Sequence, residues 1–318
     1  MPTHEDIRAL EEISFRGWHA LENERYDGWV LRAANGYTGR ANSINPLYPS
    51  SHALDDKIAY CDAWYAARGI PPIFRLNDAM QPPDLDAQLA ARGYRRFNES
   101  RVMTAELGDA LTLNPSPTRR HAGDESAIKS WATGERDFDT ASPPCSDSPS
   151  PTSAGSQPVT SSGSPSPRRT RRSGEGFRVR ADLDTWIADL CRLNPRHAPH
   201  VATMRLLFDR MPPERLFASV RVGDEAAAVG LGVLHDGYLG LYDIVTDERL
   251  RGRGYGRMMV SGLLRAASEA GITRAYLQVA ADNAPAIRLY EGLGFRVSYG
   301  YWYRGNQITP KSPAARMP

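Results

Sequence analysis

Arg251-Gly252-Arg253-Gly254-Tyr255-Gly256-Arg257 is the stretch on which the reading of this chain turns. It follows a strand pattern over 238–246 and precedes a helical stripe of Met259, Val260, Leu263, Leu264 and Ala267. Glycines at a strand-to-helix turn let backbone N–H groups approach a ligand, and the helix N-terminus adds partial positive charge. The segment therefore suits a pyrophosphate. No Gly-Lys-Ser/Thr follows, which excludes a Walker A loop, and the G-x-G-x-G spacing departs from the G-x-G-x-x-G dinucleotide fingerprint. Taken alone, a plain glycine-rich turn competes with the phosphate reading.

Outward from this loop, Gly223-Asp224 and Asp236-Gly237 are two-residue hairpin signals joining strands at 216–222, 226–235 and 238–246. Two helical stripes precede them, Trp186 with Leu190 and then Val201, Met204, Phe208 and Met211, parted by Asn194-Pro195. After the loop helix, closed by Gly271, comes an apolar strand at 275–279. A helix capped by Asn283 follows and stops at Gly294, and short strands at 295–297 and 299–304 end the block.

The N-terminal part opens with Thr3 and Asp6 capping a helix that carries Ile7 and Leu10. Asn35-Gly36 predicts a hairpin between 28–31 and 37–44. Leu54, Ile58, Cys61 and Tyr65 form a helical stripe ended by Gly69, followed by a strand at 73–76, a helix at 85–91 and a strand at 94–107. Gly69-Ile70 to Gly93-Tyr94 matches Gly271-Ile272 to Gly294-Phe295 in element order, at offsets of 202 and 201 residues. A duplicated fold and a chance agreement of patterns both account for this.

The 318 residues suggest two domains. Between them, 141–174 is almost wholly Ser, Pro, Thr, Gly and Arg and holds too little apolar surface for a core. The expected organisation is an N-terminal domain at 1–113, a disordered linker at 114–174, a second domain at 175–308 and a disordered tail at 309–318. Net charge is +2, with 39 basic residues of which only Lys57, Lys129 and Lys311 are lysine, so no general polyanion signal exists. Arg168-Arg169-x-Arg171-Arg172 is the one basic cluster, and no nucleic-acid motif accompanies it. Cys61, Cys145 and Cys191 are too scattered for a disulfide framework or a metal site. No apolar run approaches the length of a membrane span, and the first residues do not read as a secretory leader, so a cytoplasmic location is expected.

R-x-x-G-x-G after an antiparallel strand, then a helix, an apolar strand and Asn283-x-x-Ala286-x-x-Leu289-Tyr290-x-x-Leu293-Gly294-Phe295, resembles the GNAT superfamily of N-acetyltransferases. The resemblance covers about 175–304. Leu241 to Thr246 and the Tyr299 to Arg304 ending resemble a two-part group whose N-terminal half is a degenerate GNAT-like unit. This resemblance implies an α+β fold, a mixed and mainly antiparallel sheet flanked by helices, in a tandem of two units. It implies acetyl-CoA as the acyl donor, with no metal needed. By the same resemblance, the donor's pyrophosphate rests on Arg251, Gly252, Arg253, Gly254, Tyr255, Gly256 and Arg257. Its extended arm is implied to lie along Ile244, Val245 and Thr246, steadied by Asn283. Tyr290 takes the family position that protonates the departing sulfur.

From chemistry alone, Asp243 is the candidate base, with Asp247 and Glu248 as loop alternatives, or else it merely attracts a cationic acceptor. The plain alternative for Tyr290 is a core aromatic, against which the acid role is the favoured reading, and helix capping accounts for Asn283 equally well. His235 is expected to be solvated at a hairpin tip. The N-terminal block has Ile44-Asn45-Pro46-Leu47-Tyr48-Pro49-Ser50 where the phosphate loop would stand, so it should bind no CoA and instead either pack against the second block or shape the acceptor pocket, with Trp29, Arg32, Arg40 and Asn42 as candidate lining residues and strand packing accounting for Trp29 as well. The expected partners are acetyl-CoA and an amine acceptor, with no membrane and no nucleic acid. The competing function is a noncatalytic acyl-CoA-binding sensor.

Overall fold

Thr3 opens the chain's first helix with a reciprocal cap: its hydroxyl accepts from the Asp6 N–H at 3.1 Å, and the Asp6 carboxylate accepts from the Thr3 N–H at 2.8 Å. That helix is α1 (His4–Gly17). It is followed by β1 (Glu22–Tyr26), β2 (Trp29–Ala33), β3 (Ser43–Pro46), α2 (Leu54–Ala66), β4 (Ile73–Asn77), α3 (Leu85–Ala91) and β5 (Arg95–Glu106). The second half contributes β6 (Gly176–Val179), α4 (Leu183–Leu193), α5 (Val201–Arg210), β7 (Arg215–Val222), β8 (Glu225–His235), β9 (Tyr238–Thr246), α6 (Tyr255–Glu269), β10 (Arg274–Ala280), α7 (Ala284–Glu291) and β11 (Arg296–Gly305). This computed structural model describes residues 2–108, 176–179 and 182–306. The expected linker at 114–174 and tail at 309–318 lie outside the described residues.

Three details differ from the sequence reading. β1 carries no strand signal, because Glu22-Asn23-Glu24-Arg25-Tyr26 is polar and largely exposed, and the tight turn that pairs it with β2 is Asp27-Gly28, both at positive φ. Asn35 and Gly36 do adopt positive φ, yet they begin a wide loop rather than a hairpin, and β3 starts only at Ser43. The Asn42 side chain fixes that loop, accepting from the Ala34 and Gly36 N–H groups at 2.7 and 2.9 Å and donating to the Tyr37 and Thr38 carbonyls. The two expected closing strands are one, β11, with a register shift between Val297 and Tyr299.

The strands form one sheet in the order β1-β2-β3-β4-β11-β5-β10-β9-β8-β7-β6. Its centre shows the duplication. β3 pairs parallel with β4 as β9 pairs parallel with β10, and every other ladder is antiparallel. The last strand of each half is inserted into the other: β5 separates β10 from β11, and β11 separates β4 from β5. A fragment beginning at 175 would therefore lack a central strand of its own sheet, and both halves belong to one compact unit.

Alternation along the strands sorts side chains to the two faces. Tyr242 and Tyr276 join α1, α4 and α5 on one face, while Leu239, Leu241, Ala275 and Leu277 pack under α6 and α7 on the other. A third cluster, including Trp29, Leu31, Phe74 and Leu76, lies under α2 and α3. Across the exchange, Arg75 of β4 pairs with Glu11 of α1, and the Tyr299 hydroxyl of β11 donates to the same carboxylate at 2.6 Å. Both charges are buried. Glu11→Gln leaves the guanidinium without its counter-charge and should cost about 3–5 kcal/mol. Chemical denaturation of the full chain checks this, and a loss below about 1 kcal/mol would contradict the structural weight given to the pair. Among the described residues no helix is long and apolar enough to cross a membrane.

Candidate active site

β9 and β10 run parallel only from Arg274 opposite Tyr238 to Leu277 opposite Leu241, and then part. Tyr242, Val245 and Thr246 of β9 stay paired with β8 on their other side, while 278–280 of β10 stay paired with β5. Among the described residues, one backbone edge of β9 is thus left without a strand partner. The parting opens a cavity of about 240 Å³ lined by Asp243, Ile244, Val245, Asn283 and Tyr290, with Arg40, Asn194 and His197 at its other wall.

A bulge sets the geometry of this wall. Val229 of β8 faces Val245 and Leu231 faces Tyr242, so Gly230 alone opposes Asp243 and Ile244. Asp243 takes the extra residue's place with φ of 47°, a left-handed conformation that Asp tolerates better than most residues. The residue is half-buried, but its Oδ2 is enclosed and has no hydrogen-bond partner among the described residues. Burial raises its pKa above the ordinary carboxylate range, and the nearby charges of His197 and Arg40 oppose that rise. Burial conversely lowers the pKa of His197.

The ring of His197 is held from both halves. The Asn194 amide donates to Nε2 at 3.0 Å, so Nδ1–H donates to the Tyr37 hydroxyl at 2.7 Å. Tyr290 sits on α7 with its ring against Phe295, and burial pushes its pKa up to about 12. Asn283 caps α7, accepting from the Ala286 N–H at 3.2 Å, and also lines the cavity.

The glycine loop lies beyond the end of β9. Gly252 and Gly254 have φ of 78° and 86°, and Gly254 caps α6. A Cβ at either would meet nothing within 4 Å, so the backbone dihedral, not crowding, requires glycine there. At Gly256 a Cβ would stand 3.2 Å from Thr246 Oγ1, which ties the start of α6 to the end of β9. Gly254→Ala should cost roughly 1–2 kcal/mol from the left-handed backbone alone. Thermal denaturation reads that loss, and an unchanged midpoint would show that the loop is not held in this conformation.

The predicted loop residues do not all face one way. Arg253 is exposed, Arg251 pairs with Glu248 at 2.9 Å, Tyr255 is buried under the sheet, and Arg257 donates to the Gly292 carbonyl at 3.1 Å. The alternative bases are otherwise engaged. Asp247 caps the turn after β9 and is held below the ordinary range by hydrogen bonds from Arg249, and Glu248 is exposed.

Of the four N-terminal candidates only Arg40 reaches the cavity. Trp29 is in the core, Asn42 braces its own loop, and Arg32 donates to the carbonyls of Phe15, Trp18 and Arg40. His235 is not solvated: its side chain is 6% exposed and lies 3.0 Å from the Tyr276 hydroxyl. Asn194 is legible in the sequence only as a helix break and Tyr37 only as the start of an expected strand, and nothing in the sequence marks His197, which sits in the short 3-10 turn Pro195–His200, as their partner.

Residues 183–295 match the acetyltransferase (GNAT) family, and residues 4–132 match the family described as "Probable histone acetyltransferase Rv0428c C-terminal". The "Uncharacterized N-acetyltransferase YobR" of Bacillus subtilis (strain 168) is 26% identical over 301 residues, which span 94% of this chain and 98% of that protein. "Probable histone acetyltransferase Rv0428c" of Mycobacterium tuberculosis (strain ATCC 25618 / H37Rv) is 36% identical over 111 residues, 35% of each chain. Among solved structures, a GCN5-related N-acetyltransferase from Kribbella flavida superposes with a TM-score of 0.59 at 15% identity, covering 94% of this chain and 95% of its own. A tandem GNAT protein from the clavulanic acid biosynthesis pathway gives 0.51 at 13% identity, covering 94% and 88%. These two similarities concern the fold, which is the tandem α+β arrangement expected from the sequence. The chain carries a GNAT acetyltransferase domain preceded by an Rv0428c-like domain. It is an acyltransferase of the N-acetyltransferase kind.

Proposed function

We propose that the protein moves the acetyl group of acetyl-CoA to a primary amine by direct attack within the cavity between β9 and β10. The observation that carries this is the parting of the two strands beyond Leu241 and Leu277, which leaves a backbone edge beside the enclosed Asp243 carboxylate. The residues present fit the donor. An unpaired strand edge at 244–246 can take an extended arm as an added strand, and Asn283 stands where it can steady that arm. The N–H groups from Gly252 to Arg257, at the start of α6, can hold a pyrophosphate without a metal. Acetyl-CoA would bring a thioester-activated acetyl group.

Asp243 Oδ2 receives the proton of the incoming ammonium, a task for which a carboxylate made more basic by burial is suited. Tyr290 Oη stays protonated at neutral pH and supplies the proton to the departing sulfur. Backbone N–H groups near Ile244 polarise the carbonyl under attack. The test is a coenzyme A release assay on the purified full chain with acetyl-CoA and a panel of amines, with acetylated product identified by mass. The expected result is release matched one for one by an acetylated amine. Bound acetyl-CoA with no amine acetylated across the panel would contradict it.

A further inference from the structure

Arg40 stands on a loop whose backbone is fixed from several sides. The short 3-10 turn Gly39–Ala41 carries it, and Ala41 is fully buried. The Arg32 guanidinium donates to the Arg40 carbonyl at 2.8 Å, and the Asn42 side chain ties together Ala34, Gly36, Tyr37 and Thr38. A Cβ on Gly39 would stand 3.0 Å from the Tyr303 ring, so the turn is pressed against β11. The Arg40 side chain leaves this frame half-buried. Its guanidinium carbon lies 4.9 Å from the ring centre of Trp18 and 5.4 Å from that of Tyr242, and it lines the cavity together with Asp243.

A rigid frame that presents a cation with no acid beside it is not explained by folding alone. Among the described residues the Arg40 guanidinium makes no hydrogen bond or ion pair, and two aromatic faces hold it instead. One of those faces belongs to Tyr242, the residue before Asp243. The carboxylate with the enclosed, unpartnered oxygen therefore shares its cavity with an unmatched positive charge. The other titratable groups around Asp243 are Tyr37 of the loop before β3, His197 of the turn Pro195–His200, Tyr242 of its own strand and Tyr290 of α7. Burial raises the pKa of each tyrosine, so all three stay uncharged, and burial lowers that of His197. Arg40 is the permanent cation of this group.

We infer that Arg40 is a positioning residue for the transfer: its fixed charge, supplied by the N-terminal half, holds the Asp243 carboxylate in the ionised form that can accept a proton. The inference rests on the reading of Asp243 as the base. Enclosure alone would favour the protonated acid, which accepts nothing, and an opposite charge in the same low-dielectric cavity works against that. The absence of a direct ion pair matters as much as the charge, because a carboxylate clamped by a guanidinium would be too weak a base. The N-terminal half, which lacks a glycine loop of its own, thereby takes part in the chemistry of the second half.

The test reads the carboxylate both directly and through turnover. Aspartate is isotope-labelled at its carboxyl carbon in the full chain, and the Asp243 resonance is identified by its loss in Asp243→Asn. In Arg40→Gln the titration midpoint of that resonance should stand about 0.5–1 pH unit above wild type, and Arg40→Lys, which keeps a charge, should bring it back at least halfway. In coenzyme A release assays the acid limb of kcat/KM should move by the same amount in Arg40→Gln. That is a loss of about 3- to 10-fold below the limb, with values above it within about threefold of wild type. If Arg40→Gln does not fold, Arg40→Met, which keeps packing against the two rings, takes its place. An unmoved Asp243 midpoint in a folded neutral variant would overturn the inference, as would an equal loss of turnover at every pH, the mark of a purely structural residue. A KM raised only for anionic amines, with the limb unmoved, would overturn it in favour of a contact from Arg40 to the acceptor. The expected midpoint shift with no amine acetylated by the wild-type chain would instead contradict the proposed transfer and leave the charge pairing standing.

Discussion

Asp243→Asn is expected to make the protein more stable and far less active. Oδ2 of Asp243 is enclosed without a partner, and burial raises the pKa. The sign follows from proton binding. In the window between the ordinary carboxylate pKa and the raised one, the native state holds a proton that the unfolded chain has lost, so stability falls as pH rises through that window. Removing the charge should recover the desolvation cost that raises the pKa, about 1.4 kcal/mol for each pH unit by which the native pKa exceeds the unfolded one, although the amide stays a buried polar group. Asn also accepts the left-handed backbone at this position. Turnover should move the other way, falling about 10²- to 10⁴-fold for loss of a general base. The loss should be greatest below the pKa of the acceptor amine, where a proton must be removed before attack, and should narrow above it. Denaturation and pH-rate profiles on the same preparation read both effects. A variant less stable than wild type, or an unchanged profile, would show that Asp243 serves structure instead.

Tyr290→Phe should leave folding and acetyl-CoA affinity nearly untouched while lowering turnover by about 10- to 10⁴-fold. The substitution keeps the ring that packs on Phe295 and removes only the hydroxyl at the cavity wall. A purely structural tyrosine predicts the reverse, a modest loss of stability with normal turnover. Wild-type turnover in folded Tyr290→Phe would reject the acid role and leave the fold and the donor site intact.

The sequence made legible what is local. β9 spans 238–246 and α3 spans 85–91, as their apolar patterns require, and Asn283 caps α7 as its position before the last helix demands. The glycine loop could be read because positive-φ glycines at a strand-to-helix turn leave a spacing signature. Non-local features left none. The exchange of β5 and β11 depends on pairing between residues roughly two hundred positions apart, and nothing in either strand announces its neighbour. Asp243 could be picked as a carboxylate among apolar residues, but the bulge that turns it into the cavity depends on register against β8. His197, Tyr37 and Arg40 meet at the site only after the sheet is assembled from both halves. His235 departs from expectation because a hairpin tip is usually wet, whereas here Tyr276 of β10 lies over it.

The parting of β9 and β10 is held to create an acetyl-transfer site in which Asp243 and Tyr290 handle the protons. Single-turnover transfer from isotope-labelled acetyl-CoA to an amine, followed by rapid quench in the full chain, Asp243→Asn and Tyr290→Phe, tests this most directly. The expected result is label in an amide bond of the acceptor for the wild-type chain, with the transfer step slowed in both variants while acetyl-CoA binding is retained. Label passing to the amine equally fast in all three proteins, or remaining on coenzyme A in the wild-type chain for every amine supplied, would contradict it.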